Sequence, residues 1–225
     1  MSTGRPTALA LTPDGSSLII VNEGSETVSI VDPLSLVERK RIQVGRGPCS
    51  VTLDAAGKRT FIVNRLSNSV SVIDLSYQTV VTTIATGPEP LRVQFNRSGD
   101  RLYVNHAGYP YLYIIDATSY SLLRQQFIGT GIASLKVDTW SDLLYIAKNA
   151  ETVITLYNPV TFAPVGYITT RGTVQYMTID NETNNLYAIV PERSSLVVIN
   201  LISKKQVAEI DVSRNPSWTA VLGER

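Results

Sequence analysis

Residues 12–48 read TPDGSSLIIVNEGSETVSIVDPLSLVERKRIQVGRGP, and residues 57–90 read GKRTFIVNRLSNSVSVIDLSYQTVVTTIATGPEP. In both stretches, turn residues such as Asp, Gly, Pro and Ser separate short runs rich in Val, Ile, Leu and Tyr, which is typical of strands and hairpins. In the first unit, which begins at about residue 4, we predict strands at about Ala8–Thr12, Leu18–Asn22, Thr27–Val31 and Glu38–Val44. No segment favours a helix.

Equivalent residues recur every 42 positions, and the clearest column contains Asp32, Asp74, Asp116, Asn158 and Asn200. Carboxylate and amide oxygens that follow a strand accept backbone N–H bonds in the next turn, so this column predicts turn chemistry rather than catalysis. A repeat of this length with four strands and no helix is typical of a β-propeller blade. A second column extends one member further and contains Pro6, Pro48, Pro90, Ile132, Val174 and Pro216.

We therefore predict an all-β fold, a β-propeller of four-stranded antiparallel blades in a single domain, residues 1–225. The five blades are predicted at about 4–44, 45–86, 87–128, 129–170 and 171–212. Residues 216–222 align with the opening strand of the first blade and are predicted to be the first strand of a sixth. Two apolar rows in the first strands predict inter-blade core, namely Leu9, Val51, Val93, Leu135 and Met177, and Leu11, Leu53, Phe95, Val137 and Ile179.

The two quoted stretches, together with SGDRLYVNHAGYPYLYIIDATSYSLL at residues 98–123, resemble the YVTN-type propeller repeats of archaeal surface-layer proteins and many bacterial extracytoplasmic proteins. The resemblance covers nearly the whole chain. It implies six to eight blades, commonly seven, with the first strand of each blade at a central channel and the fourth outermost. It implies no reaction, because one propeller scaffold carries many activities.

Five blades and a strand would leave the apolar faces of the first and last blades open, which is an aggregation hazard unless something covers them. Three solutions remain open at this point. The chain is a fragment of a larger propeller, it completes a ring with another copy of itself, or it closes as a five-bladed ring with a surplus strand.

Composition narrows the function classes. A formal net charge of +1 gives no broad footprint for nucleic acid, and no apolar run approaches the roughly 20 residues that a membrane-spanning helix needs. The single cysteine, Cys49, excludes an internal disulfide and is expected to be a packing residue. The N-terminal residues carry no signal peptide, so we expect an extracytoplasmic location if a longer precursor exists and otherwise leave the cytoplasm open.

Propeller ligands bind near the channel mouth. The candidate ligand residues are therefore the first-strand side chains of blades 3 to 5 that replace small residues at the equivalent positions of other blades. They are Arg92, Gln94, Lys136 and Tyr176, and the two cations could bind a small anionic ligand. His106, the only histidine, is a further channel candidate, although we expect it to be a loop residue. No catalytic, cofactor-binding or metal-ligating set is predicted.

Candidate partner contacts are the aromatic residues Tyr109, Tyr111 and Trp218, since exposed aromatic side chains make good protein contacts. Tyr109 and Tyr111 lie in a hairpin that replaces the polar hairpin of other blades, and the alternative is that strand alternation places one set of its aromatic residues, Tyr109, Tyr111 and Tyr113, in the interface between blades. Asp116 follows Asn105 by eleven positions, whereas Asp74 follows Asn64 by ten, which predicts one extra residue in this hairpin.

Two functions are consistent with these observations. The first is a noncatalytic interaction or structural module of an extracytoplasmic or cell-surface protein, which binds a protein partner or another copy through its open terminal blades. The alternative, also taken from the resemblance, is a fragment of a lactonase-like or haem-bearing propeller protein with a ligand site at the channel. The sequence lacks a c-type haem motif and a paired base and nucleophile, so we lean away from an enzyme.

Overall fold

The structure is a computed structural model that describes residues 4–217 and Thr219. These residues form twenty strands in five four-stranded sheets, and each sheet is antiparallel with its strands in sequence order. Outside the strands, the described chain contains three short 3₁₀ turns and no α-helix. The predicted all-β fold of four-stranded antiparallel blades is therefore confirmed, and the sheets are called blades 1 to 5 below.

The chain groups into two compact units, residues 1–128 and 129–225, and the single domain stays a prediction. The first unit contains blades 1 to 3. Blade 1 consists of β1 (Pro6–Leu11), β2 (Leu18–Asn22), β3 (Thr27–Val31) and β4 (Glu38–Gln43). Blade 2 consists of β5 (Pro48–Leu53), β6 (Arg59–Asn64), β7 (Ser69–Asp74) and β8 (Thr79–Ala85). Blade 3 consists of β9 (Pro90–Phe95), β10 (Arg101–His106), β11 (Tyr111–Asp116) and β12 (Leu122–Phe127).

The second unit contains blades 4 and 5. Blade 4 consists of β13 (Ile132–Val137), β14 (Leu144–Lys148), β15 (Val153–Tyr157) and β16 (Pro164–Thr169). Blade 5 consists of β17 (Tyr176–Asp180), β18 (Asn185–Val190), β19 (Ser195–Asn200) and β20 (Lys205–Asp211). Pro216, Ser217 and Thr219 lie in no strand, and the rest of the predicted extra strand at 216–222 lies outside the described residues.

The turn column behaves as the sequence predicts. In each blade the Asp or Asn oxygen accepts the backbone N–H groups of the residues two and three positions later. Asp32 Oδ1, for example, accepts from Leu34 and Ser35, both at 2.9 Å, and Asn158 Oδ1 accepts from Val160 and Thr161, also at 2.9 Å. These bonds close the turn between the third and fourth strands of each blade.

Neighbouring blades within a unit pack through their first strands. In the first unit β1 lies beside β5 and β5 beside β9, and in the second unit β13 lies beside β17. Side chains cross between blades at about one repeat length: Thr7 Oγ1 donates to the Pro48 carbonyl at 3.1 Å, and Thr52 Oγ1 donates to the Val93 carbonyl at 2.8 Å. The sheets therefore cover one another's apolar faces.

Three apolar clusters fill these interfaces. Blade 1 packs on blade 2 around Val21 and Val28, with Val51 and Leu53 of blade 2 against them. Blades 2 and 3 share a cluster that contains Val63, Val70 and Val93, and Cys49 packs against it, as expected for a packing residue. Blades 4 and 5 share a cluster that contains Ala147, Ile154, Met177 and Ile179.

Candidate binding sites

The first-strand candidates fall in both units. Arg92 and Gln94 lie on β9 of blade 3, where Arg92 is exposed and Gln94 half-buried. Cys49 of blade 2 lies near Arg92, but burial dominates and raises the pKa of its thiol to about 11. Cys49 is therefore a thiol, not a reactive thiolate, at neutral pH.

Lys136 and Tyr176 come together in the second unit. Lys136, on β13, places its Nζ atom 5.8 Å from the centroid of the Tyr176 ring on β17. This is a cation–π distance, so the aromatic ring stabilises the lysine charge. The neighbouring acid Asp138 accepts the Trp140 backbone N–H at 2.9 Å and the Ser141 hydroxyl at 2.5 Å. The predicted ligand role of this pair stays a prediction.

His106 is the last residue of β10 and is fully buried, so the expectation of a loop residue is wrong. Its Nδ1 atom lies 3.0 Å from the Tyr111 carbonyl oxygen. Because a carbonyl only accepts, Nδ1 carries the proton and Nε2 keeps a lone pair. Nε2 is buried with no hydrogen-bond partner among the described residues. Burial lowers the pKa of His106 to about 4, so the ring is neutral at pH 7.

Aromatic rings surround this imidazole. The ring centroids of Tyr109 and Tyr113 lie 5.6 and 5.0 Å from that of His106, both in edge-to-face geometry. Tyr111 packs on Tyr109 at 5.3 Å and on Phe127 at 5.6 Å. Tyr109 and Tyr111 are half-buried, so their role as partner contacts stays a prediction, and Trp218 lies outside the described residues.

The hairpin that carries these rings is not longer than its counterpart. Arg59 pairs with Asp74 in blade 2 and Arg101 with Asp116 in blade 3, so His106, not Asn105, is the equivalent of Asn64. The prediction of an extra residue is therefore wrong. Blade 2 has a 3₁₀ turn here that ends at Asn68 with φ of 51°. Pro110 stands at the position of Asn68, and its ring forbids this left-handed conformation, so the hairpin takes another form.

Blade 1 carries an exposed apolar surface that the sequence placed in the core. Leu9 and Leu11 of β1 are 67% and 53% exposed, and Ile20 of β2 is half-buried. Their equivalents one repeat later, Val51, Leu53 and Ile62, pack on the cluster of the preceding blade. In the later blades the row is well covered, with five members buried: Val93, Leu135, Val137, Met177 and Ile179.

Leu36 extends this surface. It is 74% exposed in the turn between β3 and β4, with a left-handed φ of 57°. Its equivalents Tyr120 and Lys204 share that conformation and contact the preceding blade: the Tyr120 ring lies 6.3 Å from the Phe61 ring, and Lys204 Nζ donates to the Tyr145 hydroxyl. We define the first-blade face as Leu9, Leu11, Ile20 and Leu36.

The described residues bring no group of three or more His, Cys, Asp or Glu side chains into an arrangement that could hold a metal ion. Among residues 4–217 and 219, no helix has the length and apolar character needed to span a membrane.

Comparison with known proteins identifies the fold but no family. No family model and no curated protein matches the sequence. Among solved structures, the chain is similar to hydrazine synthase of Kuenenia stuttgartiensis at 16% identity and a TM-score of 0.68, covering 96% of this chain and 89% of that one. It is similar to the dihydro-heme d1 dehydrogenase NirN in complex with DHE at 16% identity and a TM-score of 0.73, over 88% and 44% of the two chains.

A third similar structure is a chain of the mitotic checkpoint complex, with 14% identity, a TM-score of 0.79, and coverage of 92% and 65%. The chain thus spans less than half of the NirN chain and slightly under two thirds of this third one. All three neighbours are β-propeller proteins, and these identities report on fold alone. The protein is accordingly built of β-propeller blades.

Proposed function

We propose that the chain is a noncatalytic β-propeller interaction module whose first-blade face binds an apolar sheet face of another propeller blade. The exposure of Leu9 and Leu11 carries this proposal, because their repeat equivalents are covered wherever a preceding blade stands next to them. Covering these two side chains would contribute roughly 2–4 kcal/mol. The occupant is a blade of a larger propeller that includes this chain, as in the YVTN-type proteins that it resembles, or a blade of a second molecule.

The exposed apolar surface of the first-blade face supports an interaction role. The candidate reactive groups do not form a reaction centre. His106 is neutral and enclosed by tyrosine rings, and Cys49 is held as a thiol. The similarity to a chain that works within the mitotic checkpoint complex adds support for a binding scaffold. An extracytoplasmic location belongs to the same proposal.

The first-blade face can be tested by dye binding and hydrogen exchange at protein concentrations low enough to keep the chain dilute. We expect anilinonaphthalene sulfonate to bind the wild type and to lose most of its fluorescence with Leu9→Glu/Leu11→Glu, because the dye reports exposed apolar surface. Leu34→Glu is the matched control, since Leu34 is 95% exposed in blade 1 but outside the defined face.

Hydrogen exchange provides an independent measure. The amides of β1 should exchange faster than those of β5, which has blades on both sides within the first unit. Equal protection of β1 and β5, together with dye binding that the double substitution leaves unchanged, would show that the face is covered and would reject the proposal.

A further inference from the structure

The turn between the first and second strands of blade 4 departs from the repeat. Blade 4 has Trp140 and Ser141 here, and its left-handed residue is Asp142 with φ of 59°. In blades 1 to 3 a glycine takes the left-handed conformation, with φ between 64° and 74°, in the pairs Asp14-Gly15, Ala56-Gly57 and Ser98-Gly99. Trp140 is 66% exposed. Most of its surface therefore faces solvent, and the other four blades form this turn without an aromatic residue.

Three hydrogen bonds hold this tryptophan turn in place. The buried Asp138 carboxylate accepts the Trp140 backbone N–H at 2.9 Å through Oδ1 and the Ser141 hydroxyl through Oδ2. The indole Nε1–H donates to the Asn181 carbonyl at 3.2 Å, in the turn between β17 and β18 of blade 5. A side chain that is fixed beforehand loses less conformational freedom when it binds. The indole is therefore a preorganised contact surface beside the blade 5 turn.

That neighbouring turn of blade 5 is polar throughout. Residues 180–185 read DNETNN, and Glu182 and Thr183 within it are exposed. The Thr183 hydroxyl donates to Asp180 at 2.5 Å, and this bond holds the pKa of the Asp180 carboxyl below its usual range. Carboxyl, amide and hydroxyl groups of this kind donate and accept hydrogen bonds. Because the centre of a protein–protein interface is depleted of charged residues, these surroundings of Trp140 favour a hydroxyl-rich ligand over an apolar protein surface.

We propose that Trp140 and the turn at residues 180–185 form a binding site for an extended oligosaccharide of β-linked, glucose-type pyranose rings. In such a ring every substituent is equatorial, so both faces present only C–H groups, which pack against the electron-rich face of an aromatic ring. The hydroxyls at the rim of the sugar then reach the polar groups of the turn. An exposed ring on a turn suits a chain that lies along the surface. The site shares no residue with the first-blade face and is a second binding site of the module.

Tryptophan fluorescence tests the site directly. The sequence contains two tryptophans, so Trp218→Phe leaves Trp140 as the only indole emitter. We expect titration with cellohexaose or chitohexaose to change its emission saturably. Maltohexaose should bind at least about tenfold more weakly, because its axial linkages bend the chain away from a flat surface.

Substitutions identify the contact. In isothermal titration calorimetry, which does not depend on the indole, Trp140→Ala should bind the β-linked hexasaccharide at least about tenfold more weakly than the wild type. Trp140→Phe keeps an aromatic face and should retain part of the affinity. Leu34→Ala is the matched control and should bind like the wild type, since it removes a side chain that is 95% exposed in blade 1. Circular dichroism checks that each variant keeps the fold.

The outcomes are distinct. No saturable response to either β-linked hexasaccharide, or equal binding by Trp140→Ala and the wild type, would overturn the inference. Equal binding of maltohexaose would overturn the assignment to a β-linked chain. Dye binding at the first-blade face involves Leu9 and Leu11 and none of these residues, so failure here leaves the proposed function standing.

Discussion

Blades 2 and 3 place the same backbone position in two different chemical environments. In blade 2, the buried Asn64 donates through Nδ2 to the hydroxyls of Ser69 at 3.2 Å and Ser71 at 2.9 Å. In blade 3, the equivalent His106 donates to the Tyr111 backbone carbonyl. Tyr111 and Tyr113 stand at the positions of the two serines. The repeat thus preserves the strand ladder while a polar network becomes an aromatic cluster.

In both blades the side chain at the end of the second strand links that strand to the third. The link is a hydrogen-bonded network in blade 2 and an aromatic cluster in blade 3, so the fold does not require one kind of interaction here. Asn22 in blade 1 follows the pattern of blade 2, since its Nδ2 donates to Ser29 Oγ at 2.9 Å. Hydrogen bonds between buried groups fix geometry and are costly to leave half-made, whereas aromatic packing tolerates the loss of one polar partner.

The largest effect on this comparison should come from Asn64→Ala. The substitution removes both side-chain donations and leaves the buried Ser69 and Ser71 hydroxyls without them, so we expect a loss of about 3 kcal/mol in the free energy of unfolding. Urea denaturation followed by circular dichroism measures it. Asn22→Ala, at a half-buried site, should lose less. A loss below about 1 kcal/mol at Asn64 would mean that the network is not what stabilises blade 2.

Sequence reasoning located the blades but misaligned this position. Blade 2 reads FIVN and blade 3 reads YVNH, and matching the shared VN letters pairs Asn64 with Asn105. The 42-residue spacing pairs Asn64 with His106, and the strand register agrees with the spacing. Spacing is the better guide because it follows backbone hydrogen bonds, whereas letters at the end of a strand vary with local side-chain partners.

The exposure of the first-blade face escaped the sequence for a different reason. The 42-residue periodicity places Leu9 in an apolar row. Whether its side chain is buried depends on an adjacent blade, and the row itself does not specify that blade. The association of Lys136 with Tyr176 was missed in part as well. The sequence predicts both residues as channel candidates, but the contact between the Tyr176 ring and the Lys136 ammonium group follows only from the three-dimensional structure.

A smaller effect, on the order of 2 kcal/mol, should appear when acid is used to charge His106. Its pKa is about 4 in the folded protein and 6.5 as the ordinary value, so the unfolded chain binds more protons between these pH values. Stability should therefore be constant above about pH 6.5 and fall as the pH is lowered toward 4. Urea unfolding at several pH values between 7 and 4.5 measures this slope.

His106→Asn is the control, because it installs the residue of blades 1 and 2 and removes the only histidine. Asp14 and Asp32 do not confuse the measurement, since their pKa values are about 2 against an ordinary 3.8, and their contribution to stability is lost as the pH falls from about 3.8 toward 2, below the pH values used here. A pH slope that persists unchanged in His106→Asn would assign the effect to other groups.

The smallest expected effect, about 1 kcal/mol, is the difference between two glycine substitutions that face these clusters. A Cβ atom on Gly45 would lie 2.7 Å from Asn64 Cγ, which its serine partners hold in place, and 2.4 Å from Ser67 Oγ. A Cβ atom on Gly87 would lie 3.1 Å from both His106 Nε2 and the Tyr109 ring, a distance that a small ring shift relieves. Because overpacking costs more where neighbours cannot move, Gly45→Ala should lower the free energy of unfolding more than Gly87→Ala. Equal losses in urea denaturation would show that the aromatic cluster of blade 3 is as rigid as the hydrogen-bonded network of blade 2.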